Sequence, residues 1–198
     1  MKQFLFSLII SAILSTPLQA QLKLMKEGKD ALMVNHKGDS IWGKAEVDLD
    51  NKWVQIRSER GFRSMAFRKV RLLRLYNAED NSVTSYRRYY RDAYNSELLE
   101  QIIVGSMHFL RRTKSNTYAD DMGTPMFFMI NEVEEDQYFI WHSGKLLKIR
   151  NFKKQFLSLL NENEIEKITN FKKENKLQYY ENCDQALIVN YYNDLYNK

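Results

Sequence analysis

Arginine is the chemically active residue type that this sequence concentrates. Residues 52–91 carry Arg57, Arg60, Arg63, Arg68, Arg71, Arg74, Arg87, Arg88 and Arg91 together with Lys52 and Lys69. Glu59, Glu79 and Asp80 are the acids there. The planar guanidinium fork suits phosphate, sulfate and carboxylate groups. Tyr86, Tyr89, Tyr90 and Tyr94 are interleaved with the arginines. Rings beside guanidinium groups can stack on sugars or bases. Arg71, Arg74, Arg87 and Arg88 are therefore the candidate contacts for an anionic ligand. Strand alternation puts Arg71 and Arg74 on opposite faces, so any one binding face holds a subset of them. Residues 92–142 reverse the sign, with nine acids against Arg111, Arg112 and Lys114. The competing reading follows from that reversal: the arginines pair with these acids across a sheet and bind nothing.

The remaining chemistry-bearing residues are dispersed. Glu132, Glu134, Glu135 and Asp136 lack the glycine and terminal glutamate of a calcium loop and read as a solvated hairpin tip. Asp120-Asp121 before Gly123 reads as a loop. His36, His108 and His142 make no HxxxH or HExxH spacing. There is no G-x-S-x-G for a serine nucleophile and no glycine-rich phosphate loop. No catalytic residue, metal ligand or cofactor is assigned. Acids are numerous, but no pair stands out as the two carboxylates of a glycosidase.

The N-terminus carries an address. Lys2 precedes an apolar run from Phe4 to Leu14, Pro17 ends it, and Leu18-Gln19-Ala20 offers a small residue for cleavage. A membrane anchor needs about 20 apolar residues, and this run is shorter. The expectation is a signal peptide over 1–20 and one mature α+β domain over 21–198, with no transmembrane segment in the mature chain. Cys183 is the sole cysteine, so no disulfide forms within the chain. A start of a helix is its expected place.

These residues need a frame, and the composition supplies one. Of the 198 residues, 44% are hydrophobic and 13% aromatic, while glycine and proline together number nine. That is enough apolar material for a folded core, and it excludes disordered and collagen-like chains. Lys and Arg number 30 against 25 acids, a net charge of +5.

Residues 21–150 alternate with period 2 between closely spaced turns. Strands are expected at Ala31–Asn35, Ile41–Leu49, Trp53–Ser58, Phe62–Phe67, Val70–Tyr76 and Val83–Tyr90. Leu98–Phe109 reads as one long strand with a bend or bulge at Gly105. Arg111–Thr124 reads as the longest loop. Met126–Val133 and Gln137–His142 would form a hairpin around Glu134–Asp136, followed by Lys145–Ile149. Short connections imply an antiparallel meander, either an open curved sheet or a small barrel.

From Asn151 the period becomes 3.6. Phe152, Phe156, Leu159 and Leu160 share a helical face. Asn161 with Glu164, or Asn163 with Glu166, can cap a second helix carrying Ile165 and Ile168. Asn182 or Asp184 can cap a third, on which Leu187, Tyr191 and Leu195 align. Helices this short are not stable alone and must pack on the sheet. Tyr179, Tyr180, Tyr191, Tyr192 and Tyr196 would line that packing, or present a partner-binding surface.

Two stretches carry a resemblance. Gly38-Asp39-Ser40-Ile41-Trp42-Gly43 resembles the G-D-[ST]-[IL]-x-G strand opening of uncharacterised exported proteins of Bacteroidota. Asn151-Phe152-Lys153-Lys154 through Tyr191-Tyr192-Asn193 is similar to their helical tails. The resemblance implies an envelope or secreted location and assigns no activity. The resulting expectation is an exported protein, periplasmic or secreted or peripheral at the outer membrane. It would be a non-catalytic binding or accessory module. Its partner would be an envelope protein, an anionic polymer or lipid head groups rather than nucleic acid. A hydrolase acting on envelope or extracellular polymers is the alternative.

Overall fold

The computed structural model describes residues 28–49, 51–119 and 130–196, the side chains of 114–119 and 130–135 excepted. The signal-peptide reading of residues 1–20, the Asp120-Asp121 loop and the start of the Met126–Val133 strand lie outside the described residues. The architecture is α+β, an open antiparallel strand meander followed by three helices. The chain divides into two compact units, 1–85 and 86–198.

In the first unit the strands are β1 (Lys29–Asn35), β2 (Ser40–Asp48), β3 (Trp53–Ser58), β4 (Gly61–Ala66) and β5 (Val70–Tyr76). Their order across the sheet is β5-β1-β2-β3-β4. The alternation legible in the sequence sets which side is buried. Ala31 and Met33 of β1 lie opposite Leu75 and Leu73 of β5, and all four are buried. Ala45 of β2 meets Ile56 of β3 on the same side. The first half of β2 pairs with β1 and its second half with β3. Gly43 sits at the changeover. A Cβ built there would lie 1.9 Å from the carbonyl oxygen of Arg57, so only glycine admits β3 this close. The turn into β2 is locked by Asn35, whose Oδ1 accepts from the backbone N–H groups of Lys37 and Asp39.

In the second unit β6 (Val83–Tyr90), β7 (Ser96–Ile103), β8 (Met107–Ala119), β9 (Ile130–His142) and β10 (Lys145–Lys148) follow one another in sheet order. Both faces are buried along the apolar runs Met107–Leu110 and Phe139–Ile140. One face packs Leu110 and Phe139 with Tyr89, Leu99 and Leu146. The other packs Met107, Phe109 and Ile140 against the helices α1 (Phe152–Leu157), α2 (Glu162–Glu174) and α3 (Asn182–Asp194). Phe152, Phe156 and Ile168 supply the docking side chains, as their spacing predicts. Asn161 and Glu164 form a reciprocal capping box at α2. No helix among the described residues is long and apolar enough to cross a membrane.

Four expectations are corrected. Leu98–Phe109 is not one strand: it turns at Val104–Ser106 into the β7–β8 hairpin, and Gly105 lies in that turn. Arg111–Ala119 is strand rather than loop, because its polar run pairs residue for residue with β9. Glu134–Asp136 is no hairpin tip. It runs unbroken within β9, where Glu135 opposes Lys114 and Asp136 opposes Thr113 in the register. On α3 neither Asn182 nor Asp184 caps, and Leu187 stays exposed. The buried positions there are Gln185, Ile188, Val189, Tyr192 and Asn193. Two of these are amides, which a hydrophobic pattern does not see.

A cationic cleft at the strand-to-helix junction

The arginine candidates are split between the two units. In the first unit Arg71 and Arg74 are both exposed on β5; Arg74 shares its side with Leu72 and Tyr76, and a bulge beside Arg71 breaks the alternation that would set it on the opposite face. In the second unit Arg87 lies opposite Leu99 and Arg88 opposite Leu98, so these consecutive residues leave opposite faces. Arg88 places its guanidinium 5.2 Å from the centre of the Tyr90 ring.

Three of the acids expected to pair with these arginines have other partners. Glu100 holds Arg111 in a fork, with Nε 2.9 Å and Nη2 3.1 Å from its two oxygens. Arg111 also reaches Asp136 at 3.3 Å, and Thr113 donates to the same carboxylate at 2.7 Å. Glu97 pairs with Arg91 and Arg112. Glu97, Glu100 and Asp136 are thus paired with Arg111, Arg112 and the adjoining Arg91. Arg71, Arg74 and Arg87 form no ion pair with a described residue. Tyr86, opposite Glu100 on this ladder, has its hydroxyl pKa pushed up to about 12. Burial is the larger cause, Glu100 adds to it, and Arg111 opposes it.

Within the second unit His108 and His142 leave opposite faces of the sheet. His108 is buried beside Trp141, with ring centres 4.6 Å apart. Tyr89 Oη lies 2.7 Å from its Nδ1, and Gln101 Nε2 donates to that same hydroxyl at 2.8 Å. Burial first, then the charge of Arg87, lower the His108 pKa. His142 lies in the adjacent row and faces the helices through Tyr192. Among the described residues no three His, Cys, Asp or Glu side chains gather to hold a metal. Cys183 is exposed in the first turn of α3.

Sequence reasoning missed a cleft of about 580 Å³ where β10 gives way to α1. Its lining includes the cationic Lys148, Arg150 and Lys153 together with Tyr179, Tyr180 and Gln185. The backbone at the first two cations is held by one side chain, that of Gln155. Its Oε1 accepts from the N–H groups of Arg150 at 2.7 Å and Asn151 at 2.9 Å, and its Nε2 donates to the carbonyl of Lys148 at 2.9 Å. Asn151 then caps α1 by accepting from the N–H of Lys154.

The chain at the tyrosines hangs on the first turn of α3. Asp184 accepts from the N–H of Gln178 at 2.7 Å, and Gln185 Nε2 donates to the carbonyl of Tyr179 at 2.9 Å. Gln185 Oε1 is buried and has no hydrogen-bond partner among the described residues. The Tyr179 ring has Lys153 Nζ at 5.8 Å and Lys172 Nζ at 5.1 Å, both within cation–π range. Burial raises its hydroxyl pKa, against a lowering hydrogen bond with Thr169. Tyr180 is three-quarters exposed at the mouth. Asp136 is the one acid on the lining.

A readable signal existed. Residues 137–161 carry Lys145, Lys148, Arg150, Lys153 and Lys154 and no acid. Such a cleft can bind and orient an anion and lay a ring against Tyr179 or Tyr180. No known protein family, no curated protein and no solved structure matches this chain.

Proposed function

We propose that the protein is an exported, non-catalytic binding module of the cell envelope that takes an anionic group in the cleft at the β10–α1 junction. The reading rests on one observation: Lys148, Arg150 and Lys153 line one cleft with Tyr179 and Tyr180, on a backbone braced by Gln155. A volume of about 580 Å³ falls in the range of small-ligand sites. It admits a sugar-sized group, so a polymer would enter by an end or a side branch. The ligand chemistry is a phosphate, sulfate or carboxylate carried on a ring or a head group. The N-terminal pattern supports export, to the periplasm, the medium or the periphery of the outer membrane.

The test is calorimetric titration of the full mature chain with a heparin disaccharide, lipopolysaccharide and anionic phospholipid vesicles, at low and high salt. At least one should bind, binding should weaken as salt rises, and R150A/K153A should lose about tenfold in affinity or more. Vesicle binding alone would assign a head group, and disaccharide binding alone a sugar. No salt-sensitive binding, or equal binding by the double variant, would remove the proposal.

A further inference from the structure

The first unit carries a second feature, unrelated to the cleft, on the solvent side of its sheet. The register lines up Tyr76, Asp30, Lys44, Arg57 and Phe62 on one face, one residue from each of the five strands in the order β5-β1-β2-β3-β4. Four strand spacings make this row about 19 Å long. Trp42 belongs to the neighbouring row, opposite Leu32, which in turn lies opposite Arg74. The Trp42 ring stacks on Tyr76, with centres 5.8 Å apart and planes 23° from parallel. Trp42 remains 60% exposed despite that stack. Phe62 is exposed at the far end of the row, whereas Trp53, on the same face, lies four residues along β3 from Arg57 and outside the strip. Rings left in water at both ends of a charged row mark an interaction site.

We propose that this strip binds an extended acidic polysaccharide laid across the strands. Three features select that occupant. The Trp42–Tyr76 pair offers a flat apolar platform to the C–H face of a sugar ring, and Phe62 offers another at the far end. The Lys44–Asp30 pair between them, at 2.9 Å, puts a donor and an acceptor side by side, as neighbouring sugar hydroxyls require. Lys44, Arg57 and Arg74 outnumber Asp30 along the two rows, which favours carboxylate or sulfate on the chain.

Single-stranded nucleic acid would also stack on such rings. It carries a phosphate at every nucleotide, however, and Asp30 stands in the middle of the row, with Glu46 further along the face. A polysaccharide can present a hydroxyl at Asp30 and its acid groups elsewhere.

The experiment is affinity electrophoresis of the mature chain through gels containing alginate, polygalacturonate or heparin. Dextran serves as the neutral control, and dT20 is tested in solution. The wild type should be retarded by at least one acidic polymer and not by dextran. W42A should weaken that binding about tenfold, with W42F intermediate. R74A should weaken it and flatten its salt dependence. Melting of W42A should match the wild type, because the ring is exposed. The K148A/R150A/K153A variant should keep the part of the retardation that depends on Trp42, which separates this strip from the cleft. The proposal fails if no acidic polymer retards the protein, if W42A binds unchanged, or if dextran binds equally well. Binding to dT20 that depends on Trp42 and exceeds binding to every polysaccharide would assign the strip to nucleic acid instead.

Discussion

Asn193 of α3 holds Met107 of β8 at both ends of its backbone. The Met107 N–H donates to Asn193 Oδ1 at 2.8 Å, and Asn193 Nδ2 donates to the Met107 carbonyl at 2.8 Å. The side chain acts as a strand neighbour for a residue just past the β7–β8 turn. Both partners are buried. Replacement of Asn193 by Ala orphans two buried backbone groups and should cost about 2–4 kcal/mol. Gly105 belongs to the same arrangement, since a Cβ there would lie 2.4 Å from Asn193 Cγ. Gly105→Ala should destabilise alone, and the Gly105→Ala/Asn193→Ala pair should cost less than the two combined. Urea denaturation of the four proteins measures this; strict additivity would show that the two sites do not share the space.

Tyr86 should ionise well above the ordinary tyrosine range. Its pKa of about 12 lies above the ordinary value of 10.0. The unfolded chain therefore releases the Tyr86 proton first, and stability should fall as pH rises from 10 to about 12. Tyr86→Phe should remove this part of the alkaline loss. Glu100→Gln should lower the Tyr86 pKa without restoring 10, because burial is the larger cause. Ultraviolet titration of tyrosinate follows both.

His108 gives the opposite dependence. Gln101 donates to the Tyr89 oxygen, which leaves the Tyr89 hydrogen free for His108 Nδ1. A neutral ring is then required, and its pKa is depressed below 6.5. The stabilisation is present above 6.5 and is lost as pH falls through the lower folded value. Proton NMR of the ring should show His108 titrating below 6.5. His108→Gln should flatten acid denaturation in that window, and an unchanged profile would exclude this role.

The helices should be inseparable from the second sheet. Phe152 and Phe156 stack with centres 5.0 Å apart, and Phe109 of β8 meets Phe152 edge-on. Phe156 is fully buried. Phe156→Ala should cost about 3–5 kcal/mol. A chain ending at Arg150 bares the Met107, Phe109 and Ile140 face and should be insoluble or melt far lower. A soluble fragment with unchanged melting would show that the strands stand alone.

Free and paired arginines should respond differently to charge reversal. Arg111 is forked to Glu100, whereas Arg71 and Arg87 make no ion pair with a described residue. Arg111→Glu should lower stability, since it sets acid against Glu100 and Asp136. Arg71→Glu and Arg87→Glu should each stay within about 0.5 kcal/mol. Thermal melting distinguishes them, and a large loss at Arg71 would reveal a structural partner.

Strand positions were legible wherever one face is buried and short turns bound the run. Trp53–Ser58, Val70–Tyr76 and Val83–Tyr90 fall where alternation places them. Legibility failed where pairing, not burial, holds a strand. Arg111–Ala119 has no apolar rhythm and owes its extension to β9. It failed again on α3, where Gln185 and Asn193 are buried for their hydrogen bonds and Leu187 is left outside. The cleft was out of reach for a different reason. Its lining runs from Asp136 to Gln185 through a strand end, two loops and two helix starts, and no local pattern joins these.

Asn193 and Met107 are 86 residues apart in the chain. During synthesis β8 emerges long before the amide that completes its hydrogen bonding. Contacts between such distant segments form late, because closing a long loop costs entropy before any contact repays it. A nascent chain that has reached β10 still exposes Met107, Phe109 and Ile140, and it keeps doing so until the last helix arrives. The second unit therefore attains its native form only as a finished chain, and an interrupted one offers an aggregating surface in place of a partly folded intermediate.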